Sequence, residues 1–439
     1  MSKAEFKDSP IGKIPKDWDV LPLGSVVKST ILGTTARGIS AVDGNIPLIK
    51  MGNLNWGKLV LNQIEHVHRS AIPEMKTLKL EYGDLLFNTR NTPELVGKTA
   101  VWRNELTEAV YDNNLLRIRF RKGIAPPFVC AYMSTGAGKR RMHSLVTGTT
   151  SVAAIYWKNL ESYLLPWPRP EEQHRIAEIL DTIDEAIQKT EAVIAKLKGM
   201  RDGLLHDLLT RGLDEHGKLR DPIVHPEQFK DSPLGRIPRE WEVRQLIDIA
   251  VGGISNGFFK KPELVGSGYR LVNVSDLYQD FGVDLNLVER VNATKQEQSK
   301  YAVQPGDCFF TRSSLNLLGI AHCNVLRELP ESALFECHLM RVRPDQHKIV
   351  PGFLAHWCRS SWARKFFMGR AKQVTMTTIA QPDISPLPVP IPSLPAQKRI
   401  IELIDTHDTR IRAEEAYCDK LKHQKKGMMI DLLTGRVRV

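Results

Sequence analysis

Basic side chains gather at two places in the chain, each just before a threonine-rich stretch. The first cluster precedes "TGTT", which begins at Thr147, and the second precedes "TMTT", which begins at Thr375. Lysine and arginine neutralise phosphates, and neighbouring hydroxyl, amide or guanidinium groups can bond to base edges. The pattern therefore predicts contact with nucleic acid. The predicted residues are Lys139, Arg140, Arg141 and His143 in the first cluster, and Arg364, Lys365, Arg370, Lys372 and Gln373 in the second.

Other candidates for nucleic-acid contact are more scattered. A lone basic cluster is usually a solvated surface, but recurrence at corresponding places in two halves of a chain favours DNA contact. Gly-Asp is a turn signal, and the apolar residues after it predict a strand, so Arg90 and Arg312 are expected just past strand ends. The remaining candidates are Arg37 in "TTARG", Lys50 and Asn53 in "IPLIKMGNL", Lys260 and Lys261 beside two phenylalanines, and Asn273 in "YRLVNVSDL".

Motifs that would predict a catalytic site are absent from the sequence. "STGAGKRR", from Ser134, resembles a phosphate-binding loop, but Met133 and Arg140 stand where that motif needs glycine and Ser or Thr. No glycine-rich loop occurs in a βαβ setting, and the Asn/Asp-Pro-Pro-aromatic motif of amino-methyltransferases is missing. "RPDQHK", from Arg343, lacks the paired carboxylates of a nuclease metal site. We therefore expect no catalytic residues in this chain.

The six cysteines contain no C-x-x-C pair. A metal site could be drawn from Cys308, His322, Cys323, Cys337 and His338, but the matching residues of the first half cannot serve as a shared ligand set. Zinc sites also space their ligands more tightly. We expect buried or strand-borne thiols and imidazoles, no metal, and a reduced, cytoplasmic protein.

The elements that must position these residues occur twice. "KDSPIGKIPKDWDV" begins at Lys7 and "KDSPLGRIPREWEV" begins at Lys230, an offset of 223 residues (230 − 7). The segments "GDLLFNTRNTPELVG" and "GDCFFTRSSLNLLG" follow, and then "LLRIR" and "LMRVR", whose alternation predicts half-buried strands. This period is too long for a solenoid repeat, so a whole domain is duplicated. Trp18 and Trp241 are expected in the cores.

Each repeat ends in a proline-rich strip followed by a long helix. In the first helix Ile176, Ile183, Thr190, Leu197 and Leu204 recur every seven residues, and Ile179, Ala186, Val193 and Met200 form a second stripe. In the second helix the apolar stripe is predicted through Ile400, Ile404, Ile411, Cys418, Leu421 and Met428. These patterns favour two helices that pair as an antiparallel coiled coil. The alternative is that each helix packs only on its own domain.

Composition agrees with a duplicated, DNA-directed protein. The 439 residues suffice for two or three domains, and 42% hydrophobic residues can form ordinary cores. A net charge of +11 and a pI near 9.3 favour a polyanionic partner. No apolar run approaches the ~20 residues that span a bilayer, and the N-terminus lacks the apolar segment of a signal peptide. We expect no membrane association.

These motifs together resemble the specificity subunit of a Type I restriction-modification system. The resemblance is carried by the repeated "DSPxGxIPxxW" and "GD..F..R" segments and by "LP..EQ..IA..L" before the first helix. It covers nearly the whole chain. The second helix departs from the pattern, because Ala396 stands where the first copy has Glu172.

The resemblance implies a mixed α+β fold in which two similar α/β target-recognition domains are separated by two long helices, with a pseudo-twofold internal repeat. The linker "LDEHGKLRDPIVHPEQ" is polar and rich in turn formers. The implied boundaries are 1–169 for the first recognition domain, 170–212 for the first spacer helix, 213–229 for the linker, 230–393 for the second recognition domain and 394–439 for the second spacer helix.

The resemblance also implies partners and a division of labour. Such a subunit binds double-stranded DNA, two methyltransferase subunits and two restriction-translocase subunits. The methyltransferases bind S-adenosylmethionine, the restriction subunits use ATP and Mg²⁺, and the specificity subunit binds no cofactor. Because the two repeats differ in their loops, we expect a bipartite, asymmetric target. Alternatives are a coiled-coil scaffold that does not read DNA, the recognition subunit of a stand-alone methyltransferase, and a fused methyltransferase-nuclease.

Overall fold

The protein divides into two compact units, each built from one sequence repeat and parts of both long helices. The computed structural model describes residues 5–38, 45–148, 153–278, 281–373 and 375–439. One unit comprises Met1–Ala192 with Glu415–Val439, and the other comprises Val193–Glu414. The five-part division expected from the sequence is finer than this one and stays a prediction.

The first repeat consists mainly of short strands and one long helix. Its strands are β1 (Phe6–Lys7), β2 (Ile14–Pro15), β3 (Asp19–Pro22), β4 (Val27–Leu32), β5 (Ile46–Ile49), β6 (Leu54–Asn55), β7 (Lys58–Leu59), β8 (Glu65–Val67), β9 (Leu85–Asn88), β10 (Arg90–Asn91), β11 (Thr99–Val101), β12 (Val110–Tyr111), β13 (Leu115–Phe120), β14 (Thr147–Gly148), β15 (Ala153–Ala154) and β16 (Leu164–Trp167). Its helices are α1 (Leu23–Val26), α2 (Met75–Leu78), α3 (Pro126–Met133), α4 (Gly136–His143), α5 (Trp157–Leu160) and α6 (Pro170–Thr210).

The second repeat follows the same order of elements. Its strands are β17 (Phe229–Ser232), β18 (Gly235–Pro238), β19 (Glu242–Gln245), β20 (Ala250–Asn256), β21 (Val265–Val272), β22 (Glu289–Val291), β23 (Cys308–Thr311), β24 (Ser313–Ser314), β25 (Cys323–Val325), β26 (Ala333–Phe335), β27 (Leu339–Pro344), β28 (Lys372–Gln373), β29 (Thr377–Thr378) and β30 (Pro388–Ile391). Its helices are α7 (Lys295–Tyr301), α8 (Pro351–Arg359), α9 (Ser361–Met368), α10 (Gln381–Ile384) and α11 (Leu394–Leu433).

The sheets of the two repeats have the same topology. An antiparallel four-stranded sheet has the order β11-β9-β13-β4 in the first unit and β25-β23-β27-β20 in the second. A three-stranded sheet contains one parallel pair in each unit, β5 with β12 and β21 with β26. A smaller sheet has the orders β10-β15-β14 and β24-β29-β28. The mixed α+β class and the internal repeat are therefore confirmed.

The repeated Gly-Asp turn is fixed by an arginine of the neighbouring strand. Asp84 lies 2.6 Å from Nε of Arg119 on β13, and Asp307 lies 2.7 Å from Nε of Arg343 on β27. Both aspartates are buried, so a charge-assisted bond offsets their desolvation. The basic residues of "LLRIRF" and "LMRVR" thus serve the fold, as the aspartate of each turn does.

Both long helices begin at a glutamine that plays the same part twice. Gln173 Nε2 donates to the Pro168 carbonyl at 3.0 Å, and Gln397 Nε2 donates to the Pro392 carbonyl at 2.8 Å. Both side chains are fully buried. The proline strips are thereby tied to the helices that follow them.

The repeated tryptophans lie in the cores, as expected. Trp18 and Trp241 are both buried. Trp18 Nε1 donates to Glu172 at 3.1 Å, and Arg438 binds the other oxygen of that carboxylate at 2.6 Å. The second repeat has Ala396 in place of Glu172, so this carboxylate contact is specific to the first unit.

The apolar seam of α6 is only half as predicted. The first stripe is buried at Ile176, Ile183, Thr190 and Leu197, and Leu204 is half-buried. The predicted second stripe is wrong by one position, because Val193 is 42% exposed and Met200 is 52% exposed. The buried or half-buried residues are instead Leu180, Ile187, Ile194, Arg201 and Leu208. In α11 the predicted stripe is confirmed, since Ile400, Ile404, Ile411, Cys418 and Leu421 are buried and Met428 is half-buried.

Within each unit, segments of α6 and α11 contact each other. In the first unit Asp184 pairs with Lys425 at 2.6 Å and Glu191 pairs with Lys422 at 2.8 Å. The residue number rises along α6 as it falls along α11, so these segments are antiparallel. In the second unit Arg201 pairs with Asp408 at 2.9 Å. The helices therefore do not pack only on their own domains, and the coiled coil as a whole stays a prediction.

The predicted linker is partly packed against the second unit. Leu213 belongs to the buried core of that unit, and Arg220 pairs with Glu240 at 2.6 Å. Ile223 and Val224 remain exposed. The linker is thus a surface connection, as expected, but its first residues are anchored.

Candidate nucleic-acid interface

The second unit carries a wide groove with hydrogen-bonding side chains along its floor and walls. The groove has a volume of about 1060 Å³. Its walls come from β22, β24, the turn after β24 and the segment between β26 and β27. Polar lining residues include Lys260, Asn273, Glu289, Ser313, Asn316 and His338.

Two pairs of side chains organise this groove. Ser313 Oγ lies 2.8 Å from Nδ1 of His338. Lys260 Nζ lies 2.7 Å from Glu289 and 3.3 Å from the amide oxygen of Asn273. Serine, histidine, asparagine and lysine can all bond to base edges, so the floor offers donors and acceptors in fixed positions.

A second cavity, of about 440 Å³, adjoins the groove and shares Ser313, His338 and Met376 with it. Arg312 and Lys372 line this cavity, and both side chains are exposed. Cations beside hydrogen-bonding groups are the arrangement that binds a phosphate backbone next to base edges. The structure brings these two predicted residues together.

His322 lies at the back of the groove and is held neutral. Its ring stacks on Tyr278 with centroids 4.6 Å apart. Burial, aided by the positive charges of Arg359 and Arg364, lowers the pKa of His322 to about 4. Nε2 of this ring is buried and has no hydrogen-bond partner among the described residues.

The corresponding surface of the first unit has different side chains. Arg90 on β10 is exposed, and its guanidinium lies 5.9 Å from the centroid of the Tyr156 ring. β10 pairs with β15 through Arg90 and Ala154. Thr149 and Thr150 of "TGTT" lie outside the described residues. The first unit therefore presents a stacked cation where the second presents serines and leucines.

Arg90 and Arg312 are not structural equivalents, contrary to the prediction. The amide of Arg312 donates to the His338 carbonyl at 2.8 Å, and in the first unit the amide of Thr89 donates to the Asn114 carbonyl at 2.8 Å. Arg312 therefore takes the position of Thr89. The loop before the closing glycine is one residue longer in the first repeat, so matching the two arginines placed them one residue out of register.

The basic clusters on α4 and α9 are also shifted by one residue from the predicted pairing. Thr135 caps α4 through Gly138 N at 2.9 Å, and Ser360 caps α9 through Ala363 N at 3.3 Å. Counting from these caps, Arg140 corresponds to Lys365 rather than to Arg364. Arg140 and Lys365 are both exposed.

Two arginines of these clusters serve the fold. Arg141 donates to the Tyr132 hydroxyl and to the Ile11 carbonyl. Arg364 donates to the Leu318 carbonyl at 2.8 Å. Burial lowers the pKa of Arg364. Neither guanidinium is presented as freely as the exposed Arg140.

Lys139 lies against an aromatic ring. Its Nζ is 4.1 Å from the centroid of the Trp56 ring, and burial lowers its pKa. Arg140 lines a separate cavity of about 660 Å³ in the first unit. Other basic residues of that cavity are Lys13, Arg141, Lys422, Lys425, Lys426 and Arg436. This concentration of cations can hold anionic groups such as phosphates.

The remaining predicted residues divide into paired and exposed side chains. Lys50 pairs with Glu65 at 2.8 Å. Asn53 is buried and accepts from the Lys50 amide at 2.9 Å, as Asp276 accepts from the Asn273 amide at 2.8 Å in the second unit. Asn53 is therefore a turn-forming residue. Side chains that are exposed are Arg37, Lys261 and Arg370, the last stacked 3.6 Å from the Phe366 ring centroid.

Sequence reasoning missed a charge cluster that occurs in both units. Arg103 pairs with Asp181 at 2.7 Å, and Arg327 pairs with Asp405 at 2.8 Å. Each pair lies beside the interhelix pair of its own unit, Lys425 with Asp184 or Arg201 with Asp408. Corresponding members are all 224 residues apart, for example 405 − 181, and this constant spacing is the signal that could have revealed them.

Candidate metal ligands were also sought among the described residues. Two groups bring three ligand atoms within 4.8 Å, and they are Glu336, Cys337 and His338, and His356, Asp405 and Asp408. The two aspartates of the second group are already neutralised by arginines. Cys308 and Cys323 are buried thiols in neighbouring strands. These contacts do not mark a metal-dependent catalytic centre.

Comparison with known proteins identifies the family. The profile of the Type I restriction modification DNA specificity domain matches residues 15–198 and again residues 238–423. The chain belongs to the Type I restriction-modification specificity family. The two matches coincide with the two repeats, so the chain carries a duplicated specificity domain.

Relatives of this specificity subunit span nearly the whole chain. The putative type I restriction enzyme MjaX specificity subunit of Methanocaldococcus jannaschii is 23% identical over 442 residues, covering 99% of this chain and 97% of its own. The EcoKI specificity subunit of Escherichia coli is 24% identical over 423 residues, covering 94% and 85%. Specificity subunits are non-catalytic, which agrees with the missing catalytic motifs.

Solved structures share the fold. A chain from a study of complex assembly and conformational transition in the type I R-M system aligns with a TM-score of 0.55 at 17% identity, covering 97% of this chain and 99% of that one. The type I S subunit of M. genitalium aligns with a TM-score of 0.55 at 13% identity, covering 94% and 96%. Among the described residues of this specificity subunit, no helix is long and apolar enough to cross a membrane.

Proposed function

We propose that this specificity subunit reads a bipartite, asymmetric DNA target, with one unit reading each part. The observation that carries this proposal is that the same sheets occur twice while the side chains on corresponding loops differ. The second unit presents Ser313, Asn316 and His338 in its groove, and the first presents Arg90 beside Tyr156. Different donors and acceptors select different bases.

The two long helices are proposed to set the distance between the two parts of the target as an antiparallel coiled coil. α6 has 41 residues and α11 has 40, so each extends for about 60 Å at a rise of about 1.5 Å per residue. The ion pairs between their segments within each unit support this pairing. Once one half-site is bound, a fixed spacing makes binding of the other effectively intramolecular.

The same helices are proposed to bind partner subunits. In the first unit the half-buried Ile179 and Ala186 lie beside the buried seam of α6, and in the second unit Val193 and Met200 are exposed. Apolar positions repeated every seven residues beside a helix seam fit another amphipathic helix. We assign this stripe to two adenine-methyltransferase subunits, which in turn permit assembly with two restriction-translocase subunits.

The chemistry is proposed to belong to those partners. S-adenosylmethionine is bound by the methyltransferase subunits, and ATP and Mg²⁺ by the restriction subunits, while this chain binds none of them. Methylating adenine requires the base to leave the stack, so the specificity subunit must hold the flanking DNA meanwhile.

The proposal is tested by selecting a pool of random duplexes on the full chain copurified with its methyltransferase. The expected result is enrichment of one motif with two unlike parts separated by a constant gap. Enrichment of no motif would leave a scaffold that does not read DNA. Methyl transfer by the chain without its partner would indicate a fused enzyme.

A further inference from the structure

Two leucines project from the rim of the groove in the second unit. Leu315 is 88% exposed and Leu318 is 77% exposed. Both lie in the turn between β24 and β25, and both line the groove. An exposed leucine gains nothing from burial in the isolated protein, so such a pair points to an apolar contact made on binding.

The turn that carries these leucines is held firmly. Arg364 donates to the carbonyl of Leu318 at 2.8 Å and also to that of Ile320. Asn316 Oδ1 accepts from Gly319 N at 2.9 Å, and the Tyr278 hydroxyl donates to the Gly319 carbonyl at 2.6 Å.

Gly319 is required by this close packing. A Cβ added at Gly319 would lie 2.3 Å from Ser314 Oγ and 2.9 Å from the Tyr278 hydroxyl. The leucines are therefore presented by a preorganised turn, and the ordering of the turn does not have to be supplied on binding.

The surroundings indicate which partner the leucines meet. The floor beside them carries Ser313, Asn316 and His338, and the adjoining cavity carries the exposed Arg312 and Lys372. An apolar protein partner would leave these polar and charged groups without partners. The edges, faces and phosphates of a DNA duplex satisfy polar, apolar and cationic groups together.

We propose that Leu315 and Leu318 form a wedge that enters the base stack of the half-site read by the second unit. The inference rests on the proposed function, because it assumes that this groove holds DNA. Apolar side chains inserted between base steps unstack them and kink the duplex. This unstacking lowers the energy needed to move a neighbouring adenine out of the helix, where the partner methyltransferase acts.

The wedge belongs to the second half-site alone. The corresponding turn of the first unit, "NTPELVG", carries the exposed Glu94 and the single leucine Leu95, which is 38% exposed. A carboxylate beside the base stack is repelled by the DNA phosphates. The two half-sites are therefore distorted unequally.

The experiment uses the full chain with its copurified methyltransferase and the duplex enriched from the random pool. Adenine and its neighbours in each half-site are replaced one at a time by 2-aminopurine, whose fluorescence rises when it is unstacked. The wild type is expected to raise fluorescence at adjacent positions of the second half-site only. Leu315→Ala with Leu318→Ala is expected to abolish that rise and to weaken binding about tenfold. Leu95→Ala is the matched control and should change neither readout.

The outcomes separate the wedge from the proposed function. Binding by the wild type without any fluorescence rise, or an unchanged rise in the double variant, would overturn the wedge and leave DNA reading intact. Failure of the wild type to bind any duplex would overturn both. If the double variant lost its methyltransferase but kept the fluorescence change, the leucines would be a protein contact and the wedge would be wrong.

Discussion

Arg140 and Lys365 occupy the same position on two equivalent short helices, and both side chains are exposed. Their neighbours Arg141 and Arg364 are held by carbonyl and hydroxyl groups of the fold. Sequence spacing alone could not separate the two kinds of residue, because an arginine that binds a carbonyl and one that binds a phosphate look the same in a basic run. Only the caps of the two helices reveal which residues correspond.

Replacing Arg140 or Lys365 with alanine should weaken DNA binding by a similar factor for every sequence. Each loss of a phosphate contact should lower the slope of log K against log salt by about 0.9. The measurement is fluorescence anisotropy of a labelled duplex over a range of salt concentrations. Lys122→Ala, in the turn after β13, is the exposed control. An unchanged slope in both variants would show that these residues are ordinary surface charge.

His322 should make the second unit sensitive to mild acid. Because burial lowers its pKa from 6.5 to about 4, the unfolded chain takes up a proton first as the pH falls. The stability contributed by neutral His322 is present above pH 6.5 and is lost as the pH falls from 6.5 towards 4. His322→Phe keeps a ring against Tyr278 and removes the titration.

The measurement is the midpoint of urea unfolding at pH 7 and pH 5, followed by tryptophan fluorescence. The wild type should lose stability between the two pH values, and His322→Phe should lose less. His347→Gln, an exposed histidine of the same unit, is the control. Equal losses in the wild type and His322→Phe would contradict this account.

At the scale of secondary structure, periodicity located the long helices and their first stripe but placed the second stripe one residue early. Ile179, Ala186, Val193 and Met200 are as apolar as a seam requires, and a heptad permits spacings of both three and four. The stripe that is buried instead includes Arg201, which no hydrophobic pattern would include. Its burial depends on Asp408, a residue distant in sequence.

Arg201→Ala should destabilise the second unit by about 1–3 kcal/mol, because it leaves Asp408 partly buried without its partner. The exchange Arg201→Asp with Asp408→Arg should recover part of that loss. Thermal unfolding of the full chain measures both. Lys189→Ala, which removes an exposed pair with Glu185 on the same helix, is the control and should change stability by less than about 0.5 kcal/mol. Equal effects of Arg201→Ala and Lys189→Ala would show that the interhelix pair contributes nothing special.

For the whole molecule, the duplication could be predicted from the sequence because strand, turn and helix motifs recur at nearly constant spacing. The reading surfaces could not, because loops of unequal length shift equivalent residues. Arg312 replaces Thr89 rather than Arg90 in this way. Groove residues such as Ser313 and His338 come from strands far apart in sequence, so only the folded chain brings them together.

Lengthening both helices should lengthen the gap in the DNA target. Seven residues inserted after Ala192 and seven after Glu414 preserve the heptad and add about 10 Å at about 1.5 Å per residue. At about 3.4 Å per base pair, the gap should grow by about three base pairs. Selection from random duplexes would show the change. Insertion into one helix alone disrupts the register and should abolish enrichment, whereas an unchanged gap after the double insertion would refute the spacer role.

The central claim, that two unlike units of one chain read two unlike half-sites, is tested most directly by sequencing the methylome of a host that expresses this subunit with its methyltransferase. The account predicts one methylated motif with two different parts, separated by a gap of constant length and containing a modified adenine in each part. A palindromic motif, or one continuous sequence without a gap, would contradict it.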